Sequence, residues 1–270
     1  MKILVTGSAG RIGKVLCALL EEHGHAVRPF DVEQGDLRDI EAVYAAVEGV
    51  DAVAHLGAIP WAVPGKDYDV MSVNVQGTTN VLLACVKHGV KRVVAYSSVN
   101  AFGSFGMDRA IAFLPGADDY PHGSFNIYQL SKHLNEETCH YFAERHGMTI
   151  LCPRPVFVSS AEHYPKWSEN TGDGYLVDLS SYVDVTDVAE ATRLALTKET
   201  LSGFHAFLLA ADDTTSVHPT AEIVARQLPD VPWRIPQSEW LADNPYCGLI
   251  DCRVAKELLG WQPKVSWRTL

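Results

Sequence analysis

The feature that most constrains the fold is an apolar strand that runs directly into a glycine-rich turn and then into a helix. Residues 2–5 form the predicted strand, residues 6–13 read TGSAGRIG, and helical periodicity begins near residue 11. The first glycine allows a tight turn, the second lets the backbone approach a pyrophosphate, and the third lets the helix pack on the strand. The helix N-terminus adds N–H groups and partial positive charge for phosphates. This order predicts a dinucleotide site built from Gly7, Ala9, Gly10, Arg11, Ile12 and Gly13.

Short apolar runs alternate with helical periodicity along the rest of the chain. The predicted strands are 2–5, 26–30, 52–56, 92–96, 149–152 and 204–209, and the predicted helices are 11–23, 39–48, 74–88, 127–146, 187–197, 219–228 and 252–259. Gly24, Gly89 and Gly147 follow helices, where glycine readily ends a helix in the left-handed conformation. Strand–helix alternation requires right-handed crossovers. It therefore predicts an α/β fold, a doubly wound parallel sheet of the Rossmann type.

The periodicity becomes irregular after residue 155, which predicts two parts. Residues 1–155 form an NAD-binding Rossmann domain to which 181–211 return, and 156–180 with 212–270 form a small substrate-side lobe. Within that lobe, residues 159–180 are expected to be a loop over the site. The last stretch is rich in aromatic residues that either wall a sugar pocket or form the core of the lobe. These are Trp233, Trp240, Trp261 and Trp267.

Charge and cysteine content narrow the possible partners. The 270 residues have a formal net charge of −11, which disfavours nucleic acid and anionic membrane surfaces. No apolar run approaches the roughly 20 residues of a membrane span. The six cysteines form no Cys-x-x-Cys pair or zinc pattern, and Met1-Lys2 leads straight into the first strand without a signal peptide. We therefore expect a soluble, cytoplasmic protein with reduced thiols and no metal.

An acidic residue ends the second predicted strand, where such folds bind the adenosine ribose. Asp31 lies 18 positions after Gly13, and its carboxylate can accept both ribose hydroxyls while repelling a 2′-phosphate. This favours NAD over NADP, although Asp31 can also be a simple turn residue. Arg11 and Arg28 are the residues that argue for NADP. Asp36, followed by Leu37, either accepts from the adenine amino group or caps the next helix.

A tyrosine and a lysine are placed four residues apart on one helix face, at Tyr128 and Lys132. A tyrosine with its ordinary pKa near 10 is a poor base, and lowering that pKa by roughly three requires about 4 kcal/mol. The lysine charge, together with the nicotinamide charge, can supply this energy in a partly dry pocket. Ser97 and Ser98 end a predicted strand, where a hydroxyl can hold the substrate oxygen.

Together these motifs resemble the extended short-chain dehydrogenase/reductases, the NAD-dependent epimerase/dehydratase family. The resemblance extends through HLGA at 55–58, NVQGT at 74–78, YSS at 96–98, the Tyr-x-x-x-Lys pair, YVDVTDV at 182–188 and LGWQP at 259–263. It implies Tyr128 as the catalytic base or acid, Lys132 as its pKa-lowering and ribose-binding partner, and Ser98 as the donor to the substrate oxygen. It also implies a homodimer through the helices 74–88 and 127–146. Further residues implied at the cofactor are Leu56, Gly57, Ala58, Asn74 and Pro155.

Two departures from the family pattern concern the substrate. Phe157 stands where nucleotide-sugar members usually have an asparagine, and Ser180-Ser181 stand where they often have an arginine, both of which bind diphosphate. Losing two such donors disfavours a phosphorylated substrate. Three other cations remain alternative diphosphate ligands, namely Lys166, Arg234 and Arg253.

The predicted function is therefore hydride transfer between NAD and a secondary hydroxyl or keto group of a sugar, sugar acid or similar small substrate. Two alternatives remain open. One is a nucleotide-sugar 4-epimerase that holds and recycles NAD, and the other is a non-catalytic NAD-binding sensor. The presence of Ser98, Tyr128 and Lys132 argues against the sensor.

Overall fold

The computed structural model describes residues 1–103, 105, 110–169 and 177–269. In chain order, its strands are β1 Lys2–Thr6, β2 Ala26–Phe30, β3 Ala52–His55, β4 Arg92–Ala95, β5 Thr149–Pro155, β6 Phe157–Ser159, β7 Tyr182–Asp184 and β8 Phe204–Leu209. Six of them form one parallel sheet in the order β2-β1-β3-β4-β5-β8. The predicted doubly wound α/β fold is confirmed.

Helices cover both faces of this sheet. They are α1 Arg11–Glu22, α2 Ile40–Val47, α3 Asp67–Met71, α4 Gly77–His88, α5 Ile127–His146, α6 Tyr164–Glu169, α7 Val185–Thr197, α8 Thr220–Gln227, α9 Gln237–Trp240 and α10 Arg253–Leu259. In β1, Ile3 and Val5 pack into the core shared with α1 and α7, whereas Leu4 packs into the core shared with α2, α4 and α5. Burial on both faces explains why the strands are continuously apolar.

The helix ends include the three predicted glycines and two side-chain caps. Gly24, Gly89 and Gly147 have φ of 76°, 73° and 58°, which ends the preceding helices in the left-handed region. Asp39 caps α2 by accepting from Glu41 N and Ala42 N. At the start of α5, Asn126 accepts from Gln129 N, so the beginning of the helix that contains Tyr128 and Lys132 is fixed.

Two segments differ from the sequence-based expectation. The predicted loop 159–180 begins within β6, which pairs in parallel with β7 outside the main sheet, and it contains α6. Its residues 170–176 lie outside the described part of the chain. The predicted helix 74–88 is also not uniform, because Ser72–Gln76 is a π-helical turn between α3 and α4. Three-residue strands and single π turns have too little periodicity to be recognised in a sequence.

The C-terminal stretch packs against the main sheet through α10 and the residues after it. Trp261 is buried in the main core and donates to Asp187 O, while the Asp187 carboxylate accepts from Lys264 N and Val265 N. Trp267 is buried in a smaller cluster with Tyr164 and Tyr182. All six cysteines are free. Within the described ranges, no helix has the length and apolar character needed to cross a bilayer.

Candidate active site

A cavity of roughly 1290 Å³ opens at the carboxyl ends of the sheet strands. Its walls contain the predicted residues Gly7, Ala9, Gly10, Arg11, Ile12, Gly13, Asp31, Asp36, Leu37, Leu56, Gly57, Ala58, Ser98, Tyr128, Lys132 and Pro155. One predicted cofactor residue, Asn74, is fully buried and is not among the lining residues. The strand order places the Asp31 end and the Pro155 end on opposite sides of the glycine loop, so the cavity spans the sheet.

The glycine loop is packed so closely that side chains cannot replace two of its glycines. A Cβ atom on Gly13 would lie 2.2 Å from Gly7 O, and one on Gly7 would lie 2.8 Å from Gly57 N. A Cβ atom on Gly10 would meet only Gly7 O, at 3.1 Å, because this glycine faces the cavity. No side chain of the described residues caps α1. Its first-turn N–H groups therefore remain available to an anion.

The Asp31 end of the cavity contains two carboxylates with different partners. Asp31 Oδ2 accepts from Ala9 N at 2.8 Å, which ties the end of β2 to the glycine loop. The Asp36 carboxylate instead binds the Arg38 guanidinium, with Nη2–Oδ2 at 2.6 Å, and this partner lowers the pKa of Asp36. The cap of α2 is Asp39, so the cap alternative for Asp36 is wrong. Arg28, which donates to Ala46 O and Glu48 O, is not a lining residue.

A buried hydrogen-bond network supports the Gly57 side of the cavity. Thr78 Oγ1 donates its proton to Asn74 O at 2.6 Å, so it must accept from His55 Nε2, 3.0 Å away. His55 Nδ1 then accepts from Thr6 Oγ1 at 2.7 Å, and Thr6 Oγ1 accepts from Gly57 N at 3.1 Å. Burial lowers the pKa of His55 to about 3, so the histidine is neutral with its proton on Nε2.

Asn74 extends this network to the other wall of the cavity. Its side-chain amide accepts from Ile59 N at 2.8 Å and donates to Ile59 O and to Ser131 Oγ, both at 3.0 Å. Ser131 in turn donates to Tyr128 O at 2.7 Å. Asn74 lies in the π-helical turn Ser72–Gln76. Asn74 therefore connects the Ile59 loop to α5 and acts as a support for the cavity wall.

Replacing His55 by glutamine should change how stability depends on pH. The unfolded histidine takes up a proton below about pH 6.5, whereas the folded one stays neutral down to about pH 3. The contribution of the neutral His55 to the free energy of unfolding is complete above the pKa of the unfolded histidine. It decreases on acidification by at most about 1.4 kcal/mol per pH unit, the limit for one proton. Urea unfolding should therefore show the advantage of the wild type over His55→Gln shrinking by about 1 kcal/mol per unit between about pH 6 and pH 4.

The matched control for this measurement is His23→Gln, at an exposed histidine of α1's C-terminal end. Its free energy of unfolding should follow the wild type at each pH. Equal pH slopes for the wild type and His55→Gln would mean that His55 is not held neutral by the fold.

Ser98, Tyr128 and Lys132 meet at the centre of the cavity. Ser98 Oγ accepts from Asn100 N at 3.2 Å, and its hydrogen bond to the Tyr128 phenol lowers the pKa of that phenol. The Lys132 ammonium is buried, donates to Tyr96 O at 2.8 Å, and lies 5.9 Å from the centre of the Tyr128 ring. The Ser97 hydroxyl does not bind Tyr128, because it donates to Glu136, which pairs with Arg154. The geometry therefore favours Ser98 over Ser97 as the hydroxyl beside the tyrosine.

Lys132 is not among the groups that set the pKa of the Tyr128 phenol in this structure, and the predicted lowering also requires the nicotinamide charge. Burial raises the pKa of Tyr128 to about 12, the Ser98 hydrogen bond opposes this, and the Asp178 charge adds to it. Burial also lowers the pKa of Lys132 to about 8, because desolvation of the ammonium outweighs the opposing electrostatic contributions of its neighbours. Tyr128 is thus a protonated phenol at neutral pH.

Four further lining residues were not recognised as site residues from the sequence. Asp178 and Thr215 line the cavity, and Phe157 and Trp167 form an aromatic wall with ring centres 6.4 Å apart. The sequence indicates only that Phe157 replaces the family's asparagine or packs in the core. The tryptophans expected to wall a pocket, Trp233, Trp240, Trp261 and Trp267, are not lining residues. No residue type in the segment 159–180 signalled Asp178, because only the turn places it in the cavity.

The three alternative diphosphate ligands lie elsewhere. Arg234 pairs with Asp119 at 2.6 Å and stacks on Phe113, and Arg253 pairs with Asp251 at 2.6 Å. Neither they nor Lys166 line the described cavity. Within the described residues, no group of histidine, cysteine or acidic side chains forms a metal site.

Comparison with known proteins finds a family and several relatives. A family model described as the NAD dependent epimerase/dehydratase family matches residues 3–208. The chain is 31% identical over 167 residues to uronate dehydrogenase from Pseudomonas syringae pv. tomato, covering 57% of this chain and 58% of that protein. It is 40% identical over 212 residues to 2-alkyl-3-oxoalkanoate reductase from Stenotrophomonas maltophilia, covering 71% of this chain and 63% of that protein. The matches thus span less than two thirds of these relatives.

Among solved structures, the fold is similar to that of a short-chain dehydrogenase/reductase superfamily protein from Agrobacterium tumefaciens with bound NAD. The TM-score is 0.77 at 23% identity, and the match covers 99% of this chain and 94% of that one. At 23% sequence identity, this similarity shows that the two chains share a fold.

Proposed function

This chain belongs to the NAD-dependent epimerase/dehydratase family, and we propose that it transfers a hydride between NAD and a secondary hydroxyl or keto group of a sugar, sugar acid or similar small substrate. One observation carries the proposal. The Tyr128 phenol, hydrogen-bonded by Ser98 and near Lys132, lies in the same cavity as an uncapped, glycine-lined helix N-terminus. A proton-transfer group and a candidate dinucleotide-binding site therefore line the same cavity.

The cavity residues fit NAD on structural grounds. The pyrophosphate would lie on the first turn of α1 at Gly10 to Gly13, where only Gly7 O approaches a Cβ placed on Gly10. Asp31 would bind the adenosine ribose, and Lys132 with Tyr128 would bind the nicotinamide ribose. When bound, NAD supplies the hydride acceptor or donor and, in its oxidised form, a positive charge near the phenol.

The protein's own part in the reaction is to hold and move one proton at Tyr128 Oη. In reduction, the protonated phenol donates to the substrate carbonyl oxygen, and its raised pKa keeps that proton available at neutral pH. In oxidation, the phenol must first lose its proton, which the positive charges of Lys132 and of bound NAD⁺ would favour, and the phenolate oxygen then takes the proton of the substrate hydroxyl. Ser98 holds the substrate oxygen by a hydrogen bond, and the buried Lys132 ammonium stabilises the phenolate.

An assay with NAD⁺ and a panel of sugars and sugar acids, followed by NADH absorbance, tests this proposal. Net formation of NADH supports the dehydrogenase. Isomerised product without net NADH would instead support an epimerase that recycles its cofactor. Tight NAD binding without turnover of any substrate would contradict enzymatic function and favour the sensor.

Replacing Asp31 by alanine should weaken NAD binding and reduce selectivity against NADP. Its carboxylate contributes charge-assisted hydrogen bonds of about 1.5–3 kcal/mol, and its charge repels a 2′-phosphate. We expect the ratio of the Kd for NADP to the Kd for NAD to fall by at least about tenfold, as measured by calorimetry. Glu33→Ala, an exposed acidic neighbour, is the control and should keep the wild-type ratio. An unchanged ratio in Asp31→Ala would exclude the ribose role.

We propose that different segments of the chain bind the cofactor and the substrate, as the sequence predicts. Residues 1–155 with 181–211 would hold the cofactor, and 156–180 with 212–270 would hold the substrate. Trp167, Asp178 and Thr215 belong to the second group of segments and line the cavity, which supports this division.

We also propose that the protein forms a homodimer through α4 and α5 and functions in the cytoplasm. The exposed apolar side chains of Leu83 and Val86 on α4, and Leu130 and Tyr141 on α5, support the dimer, and the free thiols support a reducing compartment. Analytical ultracentrifugation measures the assembly directly, and a monomer at micromolar concentration would contradict it.

A further inference from the structure

The cavity wall contains a carboxylate that the proposed proton transfer does not use. Asp178 lines the same cavity as Ser98 and Tyr128 with only 8% of its surface exposed, and one of its oxygens accepts from Phe105 N at 3.3 Å. Its charge acts on the Tyr128 phenol and raises the pKa of that group. A substrate held in this cavity would therefore lie in the electrostatic field of Asp178.

A strained turn fixes the position of this carboxylate. Asp178, Leu179 and Ser180 have φ of 48°, 60° and 54°, a left-handed conformation that residues other than glycine rarely adopt. The Leu179 side chain is fully buried in the main core, while Asp178 and Ser180 line the cavity. Strained backbone of this kind persists where packing enforces it, and it concentrates at ligand sites.

Among the cavity-lining residues that the structure describes, no cation is paired with the Asp178 carboxylate. The positively charged lining residues in the described part of the chain are Arg11, Arg38 and Lys132. Arg11 donates to Val158 O and pairs with Glu162, and Arg38 is held by Asp36. Lys132 belongs to the tyrosine pair and donates to Tyr96 O. A carboxylate or phosphate group placed beside Asp178 would therefore meet a like charge in a desolvated site.

The aromatic wall complements this carboxylate. Phe157, the first residue of β6, is 47% exposed and lines the cavity together with Trp167. An aromatic ring provides a flat surface for the C–H face of a sugar ring, and a carboxylate accepts hydrogen bonds from its hydroxyl groups. The two features together suit a neutral, polyhydroxylated molecule.

We infer that Asp178, Phe157 and Trp167 select an uncharged, unphosphorylated aldose and reject sugars that bear a carboxylate or a phosphate. This inference rests on the proposed function. In the corresponding oxidation, the Tyr128 phenol first releases its proton to solvent, a step that the positive charges of Lys132 and of bound NAD⁺ would favour. The ring carbon C1 then gives its hydride to NAD⁺, and the C1 hydroxyl gives its proton to the phenolate oxygen of Tyr128. The C1–O bond becomes the carbonyl of a lactone, and the sugar loses one hydride and one proton.

D-Galactose and D-galacturonate form a matched pair of probes, because they differ only in a hydroxymethyl or a carboxylate at C6. We expect kcat/KM of the wild type for galactose to exceed that for galacturonate by at least about tenfold. Asp178→Asn keeps the shape of the side chain, and asparagine tolerates the left-handed turn. This variant should reduce the galactose preference by at least about tenfold. Asp243→Asn, at an exposed position, is the control and should leave the preference unchanged.

A second variant tests the aromatic wall without disturbing a buried residue. Phe157→Ala should raise KM for galactose about five- to tenfold while kcat stays close to the wild-type value. An unchanged KM would remove Phe157 from the sugar site. The Kd for NAD of each variant, measured by calorimetry, verifies that the cofactor site is intact.

Preference of the wild type for galacturonate, or an unchanged preference in Asp178→Asn, would overturn the inference. Absence of NADH with every sugar would instead refute the proposed function. In that case, calorimetric titration of each sugar into the NAD-loaded protein still measures whether the neutral or the charged sugar binds more tightly. Tighter binding of galacturonate in that titration would contradict the role of Asp178, and tighter binding of galactose would support it.

Discussion

Replacing Tyr128 by phenylalanine is expected to reduce kcat by about 10²–10⁴-fold, the usual contribution of a positioned proton-transfer group. The phenol is the group at the cavity centre that Ser98 binds, and its pKa of about 12 keeps the proton that a carbonyl substrate needs. The aromatic ring is retained in Tyr128→Phe, so packing on α5 is preserved. The Kd for NAD should rise by no more than about fivefold, which corresponds to the loss of one hydrogen bond. Single-turnover kinetics with NADH absorbance measures both the rate and its pH dependence.

Tyr141→Phe is the matched control for this variant. Tyr141 lies on the same helix and its replacement removes the same hydroxyl, but its side chain is 59% exposed and is not a lining residue of the cavity. The kcat of this control should equal that of the wild type. Turnover by Tyr128→Phe at a rate comparable to Tyr141→Phe would refute the assignment of Tyr128.

Replacing Gly13 by alanine is expected to abolish most cofactor binding. The added methyl group would lie 2.2 Å from Gly7 O and 2.8 Å from Ser8 Cα, and both are backbone atoms that cannot rotate away. The loop must therefore move from the first turn of α1, which costs about 1–3 kcal/mol of stability. Losing two charge-assisted phosphate contacts should weaken NAD binding about 100-fold or more. Calorimetric titration and urea unfolding measure these two effects.

Gly10→Ala distinguishes the effect of a backbone clash on stability from the effect of blocking the surface where the phosphates would bind. Its methyl group would contact only Gly7 O, at 3.1 Å, so stability should change less than in Gly13→Ala. Because Gly10 lines the cavity, NAD binding should still weaken. Wild-type affinity in Gly13→Ala would show that the loop does not bind the cofactor.

The elements that the sequence predicted best are those with strong periodicity or defined ends. The strands Ala26–Phe30 and Phe204–Leu209 and the helix Ile127–His146 have the predicted bounds. Continuous apolar runs, an asparagine cap and a terminal glycine determine these elements locally. The short strand β6 was missed because its pairing with the distant strand β7 defines it.

The candidate site shows the same division between local and distant causes. The glycine spacing and the Tyr-x-x-x-Lys pair are local patterns, and they could be recognised in the sequence. The role of Asp178 depends on a turn of three residues in the left-handed region, which their side chains disfavour. The pKa of Tyr128 also depends on burial by the whole fold, which the spacing to Lys132 does not reveal.

The central claim is that Tyr128 and Lys132 face the nicotinamide of a dinucleotide bound on the glycine loop. A crystal structure of the protein with NAD⁺ tests it most directly. We expect the pyrophosphate on the first turn of α1, with the nicotinamide ribose within hydrogen-bond distance of Tyr128 Oη and Lys132 Nζ. A nucleotide bound outside this cavity, or one whose nicotinamide lies at the Asp31 end, would contradict this arrangement.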